Sequence, residues 1–321
     1  MSVAASGRTG PRLAVGDGVV RVGTCSWADS TLVKDTHWYP RRSMSAADRL
    51  AFYGEHFPLV EADSTYYRPP SEPLTKGWAE RSPAGFVFDI KAYSLFTHHP
   101  TRPETLWPDV RDGIQANFAG KRTAYVEHLT STALDAAWAH FVAGLRPLQE
   151  AGKLGAVLFQ FPQWYPPNRA HREELAALPA RLPGVRISVE FRSPRWLAEG
   201  DRDRTLETLE AAGLALVVVD APARSGLTTV LAATRPDLAV VRLHGRNDEA
   251  WDQRGGTAAE RFQYLYRRDE LEPWAERAAQ LAGEVDEVHM LFNNCYQDYG
   301  VRNAQDLVEL LVEQGARPER S

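Results

Sequence analysis

The feature that most constrains this chain is a recurrence of eight short apolar runs rich in β-branched and aromatic residues, most of them followed by a segment of helical periodicity. The runs are Val19–Ser26, Leu59–Thr65, Phe86–Ala92, Leu154–Phe161, Val185–Arg192, Leu214–Asp220, Leu238–His244 and Val285–Asn293. Ser45–His56, Thr132–Gln149, His171–Leu182, Thr205–Ala212, Leu271–Ala282 and Ala304–Gln314 carry the i, i+3, i+4 apolar spacing of helices that cover a sheet. Asp63–Ser82 is expected to be partly helical, from Glu72. Eight such units predict an α/β fold, a single (β/α)8 TIM-type barrel, whose closure leaves no open sheet edge. Pro222–Asp237 is too short and too punctuated for a full crossover, so the sixth helix is expected to be reduced or missing.

A chain of 321 residues suits one such domain. Its expected bounds are 19–314, with a flexible N-terminal tail over 1–18 and a C-terminal tail over 315–321. The net charge of −5 provides no overall basic field for nucleic acid or anionic membrane. The first eighteen residues lack the apolar core of a secretory signal, and no apolar run is long enough to span a bilayer. Two cysteines, Cys25 and Cys295, are too few for a disulfide framework and form no zinc motif; they are expected to be buried and inert. A cytoplasmic protein with no membrane partner is the expectation.

Toward their C-terminal ends the strands stop being apolar. Glu61 and Asp63, Asp89 and Lys91, Gln160, Glu190 and Arg192, Asp220, Arg242 and His244, then Asn293 and Asn294 stand there. Residues two apart share a face, and charge pointing outward would lie beneath the helix layer, so these side chains are expected to point inward. In a closed barrel they would meet in one nearly charge-balanced pocket. The competing reading is a structural ion-pair network without chemistry.

The matching stretches GTCSW (Gly23–Trp27), VEADSTYYRPP (Val60–Pro70), FVFDIKA (Phe86–Ala92), LFQFP (Leu158–Pro162), VEFRSPRW (Val189–Trp196), VRLHGRN (Val241–Asn247), and FNN followed by RNA (Phe292–Asn294, Arg302–Ala304) run in order through nearly the whole chain. In these the sequence resembles the YecE-like family, also called domain of unknown function 72. The resemblance implies a TIM-type barrel and assigns no biochemical activity.

Three functions compete. The first is an enzyme, whether hydrolase, lyase or isomerase, acting on a polar sugar- or phosphate-bearing small molecule. Glu61 and Glu190 would serve as acid and base, with Lys91, His244 and Asp220 as further catalytic candidates. Asp63, Tyr67, Asp89, Gln160, Arg192, Arg242, Asn293, Asn294 and Trp27 would bind substrate, the arginines as forks for a carboxylate or phosphate. Tyr66 and Trp164 also follow strand ends and could stack on a sugar or base; His98–Arg122 could form a lid. Anion binding is expected between the Gly245 and Tyr299–Asn303 loops, with Asn303 as N-cap of the last helix. No cofactor is predicted, although Glu61, Asp63, Glu190, Asp220 and His244 could together hold Mg²⁺ or Mn²⁺.

The second is a nucleic-acid-binding or abasic-site endonuclease-like protein. It rests on Arg246–Arg268, where Trp251, Arg254, Arg261, Tyr264, Tyr266, Arg267 and Arg268 mix cations with aromatic faces, diluted by Asp248, Glu249, Asp252 and Glu260. The third is a ligand-binding protein without catalysis. Oligomeric state is open.

Overall fold

The computed structural model describes residues 8–251 and 258–319. Its strands are β1 (Arg12–Val15), β2 (Gly18–Cys25), β3 (Leu59–Ala62), β4 (Val87–Lys91), β5 (Leu154–Phe161), β6 (Ile187–Phe191), β7 (Ala215–Asp220), β8 (Ala239–Leu243), β9 (Glu287–Phe292) and β10 (Arg317–Glu319). From β2 to β9 each strand pairs in parallel with the next, and β2 closes on β9 from Val19 opposite Glu287 to Thr24 opposite Phe292. This is the eight-stranded barrel that the recurrent apolar runs predict.

Helices Ala46–His56, Glu72–Arg81, Ser131–Glu150, Arg169–Arg181, Arg202–Ala212, Arg268–Ala282 and Tyr299–Glu313 cover the outside. Several begin where a short polar side chain takes up a free N–H: Ser45 with Asp48 in a capping box, Thr130, and Asn168. The sixth crossover has no helix. After a 3-10 turn at Ala223–Ser225 the chain stays irregular, lays Val230–Ala233 on the core and ties itself to β7 through Thr234, whose hydroxyl accepts from Leu216 N and donates to Leu214 O.

Two departures concern the ends of the chain. Arg12–Val15 is a strand, antiparallel to β2 and to β10, with Leu13 fully buried. The paired structure therefore extends beyond 19–314 at both ends, through runs too short to show a periodicity. The last helix begins at Tyr299 with Asp298 at its N-cap, so Asn303 is a buried residue within the helix and not its cap.

Alternate strand residues feed two separate apolar layers. Val22, Val60, Phe88, Phe159, Val189, Val218, Val241 and Met290 pack outward beneath the helices. Leu59, Val87, Ala156, Leu158, Val217, Val240 and Leu291 fill the barrel interior, each buried Val or Leu contributing roughly 1.5–3 kcal/mol. This apolar plug lies between two charged layers.

The layer at the N-terminal end holds Glu287 against Arg21 and Arg186, with His289 Nδ1 2.8 Å from Asp89 Oδ2. Asp89 Oδ1 also accepts from Ala156 N at 2.8 Å. The close approach requires Gly155, where a Cβ would stand 2.3 Å from Asp89 Oδ1, and the register of β4 against β5 shifts there. Asp89 therefore belongs to the barrel interior and not to the pocket at the opposite end.

Candidate active site

The charged layer at the C-terminal end is organised by Arg242, a wholly buried side chain on β8. Its Nη1 donates to Glu190 Oε2 at 2.5 Å and its Nη2 to Glu61 Oε1 at 2.6 Å, so one guanidinium ties β6 to β3 across the barrel. Glu190 Oε1 accepts from Gln160 at 2.8 Å and pairs with Arg192 Nε at 2.7 Å. Burial opposes charge on Glu190, but Arg192 and Arg242 outweigh it and hold the carboxyl well below the usual range.

His244 Nε2 lies 3.1 Å from Glu190 Oε1, and Asn293 Nδ2 lies 2.8 Å from Nδ1. With Nδ1 accepting, the ring proton sits on Nε2 and is donated to Glu190. Burial, then the Arg192 cation, push His244 down to about 3, so the ring is neutral. Both nitrogens are used, and the ring positions Glu190.

Glu61 differs from Glu190. Burial pushes it up to about 8, although Arg242 pulls the other way, and Asp63 raises it further. Glu61 Oε2 is a buried oxygen with no hydrogen-bond donor, and the buried Asp63 Oδ1 beside it has only its ion pairs. Two neighbouring carboxyls in that position are satisfied by one shared proton, carried by Glu61. Asp63 stays ionised: burial opposes this, but Lys91, whose Nζ is 3.3 Å from Asp63 Oδ1, and Arg242 prevail. Cys25 Sγ is 3.5 Å from Arg242 Nη2, and burial followed by Glu61 pushes its thiol up, leaving it protonated.

Above this layer opens a cavity of about 470 Å³ lined by Tyr66, Tyr67, Lys91, His99, Gln160, Pro162, Gln163, Trp164, Arg192, Trp251, Arg261 and Phe262. Lys91 sits over the Tyr66 ring at 5.1 Å and Arg192 over Trp251 at 5.5 Å. Burial and Lys91 push His99 down to about 4, so it adds no charge. The non-glycine residues with positive φ among those described, Ser26 at 110°, His98 at 56° and Gln297 at 50°, all lie in loops after strands at this face. Backbone strain concentrates at functional sites.

The family model described as "Protein of unknown function DUF72" matches residues 21–321. The chain belongs to the DUF72 family. It is 28% identical over 298 residues to the UPF0759 protein YunF of Bacillus subtilis (strain 168), covering 91% of this chain and 95% of that one. A crystal structure of a DUF72 family protein from Thermotoga maritima MSB8 is 27% identical, with a TM-score of 0.71 over 91% of this chain and 99% of that one. One from Enterococcus faecalis V583 has a TM-score of 0.72 at 22% identity, over 91% and 95%. None of these names states a reaction.

In this DUF72 chain the barrel brings together Glu61, Asp63, Lys91, Gln160, Glu190, Arg192, Arg242, His244 and Asn293, with Tyr67 on the rim. Four expected residues lie elsewhere, Asp89 among them. Asp220 follows the outward phase of Leu216 and Val218; it accepts from Tyr266 OH at 2.5 Å and Arg246 Nε at 2.9 Å. Asn294 follows inward-facing Asn293, so it points outward and donates to Tyr264 O and Asn303, both at 2.9 Å. Trp27 comes after the turn at Ser26 and packs edge-on against Trp78 and Phe88.

Three expected sites change accordingly. Tyr264 and Tyr266 pack beside Gly245, whose N–H donates to Tyr266 OH, so this amide is already engaged and does not face the anion site expected there. The proposed metal set does not converge, because Asp220 faces outward and Glu190 and His244 are committed to each other. Among the described residues Cys25, Glu61 and Asp63 place ligand atoms within 4.8 Å of one another, but Arg242 already stands among them as the cation.

The Arg246–Arg268 stretch is divided. Arg246 pairs with Asp220, Arg267 with Asp269 and Arg268 with Glu313, and Tyr266 is buried; Trp251 and Arg261 instead line the cavity. Arg254 and Asp252 lie outside the described residues. Trp107, in the expected lid, is half-buried and stacked on His140, and the loop is pinned by bridges from Thr101 to Ala124 and Ile114 to Leu129. No helix among the described residues is long and apolar enough to cross a membrane.

Sequence reasoning missed His99, Gln163 and Phe262 as cavity residues. They lie in loops, where no strand alternation marks them.

Proposed function

We propose that this protein is an enzyme that moves protons on a small anionic molecule bound at the barrel mouth. The observation that carries the reading is the lining of the cavity: Lys91, Arg192 and Arg261 converge there with no carboxylate among the described lining residues. A carboxylate or phosphate group would dock on these cations, which favour bidentate and charge-assisted contacts.

The acid/base pair in this reading is Asp63 with Glu61, in place of Glu61 with Glu190. Glu190 is held by Arg192, Arg242, Gln160 and His244 and has no oxygen to spare. Asp63 keeps some solvent access beside Lys91, whereas Glu61 lies wholly buried behind it. Asp63, one side chain behind the cavity wall, would exchange a proton with the ligand by way of Lys91, whose Nζ lies 3.3 Å from Asp63 Oδ1, and draw on the proton stored at Glu61. The hydrogen-bonded Glu190 layer would hold Arg192 and Arg242 rigid beneath the site.

The test is calorimetric titration of inorganic phosphate and sulfate at low ionic strength, followed by a turnover screen of phosphorylated and carboxylated small molecules. Binding should be lost in Lys91→Met and kept in Asp63→Asn, while turnover of any substrate found should disappear in Asp63→Asn. Absence of anion binding by the native protein would remove the reading.

A further inference from the structure

We propose that the ligand of this cavity carries, besides its anionic group, a planar heteroaromatic ring held at the entrance by Trp164 and Tyr67, so that the ligand class is a nucleoside phosphate. The inference rests on the anion site proposed above and adds the second half of the ligand.

Tyr67 and Trp164 are 69% and 62% exposed, the two most exposed large apolar side chains among the described residues, and both line this one cavity. A row of rings joins them. Tyr67 meets Tyr66 edge-to-face at 4.9 Å, Tyr66 meets His99 at 5.2 Å, and His99 meets Trp164 at 5.8 Å. Each contact in the row is T-shaped, so the rings brace one another while each end ring keeps at least one face clear of the row.

The indole is also fixed in place. Trp164 Nε1 donates to His98 O at 3.1 Å, and His98, in the left-handed region at φ 56°, is anchored by Nε2 at 2.8 Å from Glu174 Oε1. Glu174 in turn accepts from Tyr165 OH at 3.0 Å. An exposed indole tied down in this way presents a preorganised flat surface, which reduces the ordering cost of stacking.

The choice of a flat heterocycle over a bare sugar follows from the acceptors. A sugar ring brings several hydroxyl donors, and the described wall offers side-chain amides from only Gln160 and Gln163 and no carboxylate. Gln160 gives one N–H to Glu190, so only its carbonyl oxygen and that of Gln163 are side-chain amide acceptors on this wall. The wall is otherwise aromatic and cationic, which suits a stacked ring joined to a phosphate. With Glu61 protonated, Asp63 and Glu190 face Lys91, Arg192, Arg242 and Arg261, a positive excess that a phosphate monoester would neutralise.

The experiment titrates adenosine and uridine 5′-monophosphates, ribose 5-phosphate and inorganic phosphate into the native chain, Trp164→Ala, Trp164→Phe and Arg261→Met, by calorimetry at one fixed salt concentration. At least one nucleotide should bind about tenfold more tightly than ribose 5-phosphate. Trp164→Ala should reduce it to the ribose 5-phosphate level, Trp164→Phe should restore most of the difference, and Arg261→Met should weaken all phosphorylated ligands alike. Equal affinity for nucleotides and ribose 5-phosphate, unchanged by Trp164→Ala, would overturn the ring and leave the anion reading standing. Failure of every phosphorylated ligand would overturn both. A short single-stranded oligonucleotide binding more tightly than either mononucleotide would overturn the small-ligand form in favour of a polymer track.

Discussion

Arg242 Nη1 and Glu190 Oε2 lie 2.5 Å apart with neither side chain exposed to solvent, and the same guanidinium reaches Glu61 on the far side of the barrel. The pair is a structural keystone and an electrostatic one, because it fixes which carboxyl at this face is ionised.

Removing the cation alone would leave Glu190 to bury its charge against Arg192 only. Arg242→Met is expected to destabilise the fold by about 3–5 kcal/mol, the range for breaking one side of a buried pair. Adding Glu190→Gln should recover part of that loss, because the double variant no longer strands the Glu190 carboxylate, although Arg192 then loses its partner. Urea denaturation of the two single variants and the double variant checks this; a double variant as unstable as the sum of the singles would contradict the coupling.

Glu61 should give stability a particular pH dependence. Its folded value of about 8 lies above the ordinary 4.5, so the native chain holds this proton more tightly than the unfolded chain. The resulting stabilisation is complete below pH 4.5, declines as pH rises, and is gone above about 8. The slope in that window is up to about 1.4 kcal/mol per pH unit. Glu61→Gln should remove that component, so the difference between variant and native stability should change between pH 5.5 and 7.5. A constant difference would mean that Glu61 is ionised throughout.

Asp89→Asn separates the two charged layers. His289 is fully buried, and although burial opposes its charge, Asp89 and Glu287 hold its pKa above the usual value. Its stabilisation is therefore present below the ordinary imidazole range and declines as pH rises through the folded value. Loss of the Asp89 charge should cost on the order of 3 kcal/mol at pH 6, by chemical denaturation, and leave anion binding at the opposite face unchanged. Weakened anion binding in a folded Asp89→Asn protein would return this residue to the pocket.

Much of the barrel was legible because each strand announces itself locally. Runs such as Leu154–Phe161 and Leu238–His244 are apolar in both phases, as strands buried on both faces must be. The paired Glu61 and Asp63, Glu190 and Arg192, and Arg242 and His244 showed their common direction through the period of two, and all six turn inward. The same rule could have excluded Asn294, since two consecutive asparagines cannot both face the axis. Asp220 was not readable in this way: Ala215–Val219 is apolar throughout and gives no clue to phase. Trp27 was hidden by the left-handed turn at Ser26, which breaks the alternation just after β2.

From the sequence alone came the eight barrel strands, the absent sixth helix and the concentration of charge at the strand ends, since each is written in the spacing of neighbouring residues. Which charges meet was left to the tertiary structure. Barrel closure and strand stagger place Asp89 in one layer and Lys91, two residues later, in another, and they set Arg242 between Glu61 and Glu190. Stagger is a property of the closed sheet as a whole, so no local pattern along one strand encodes it.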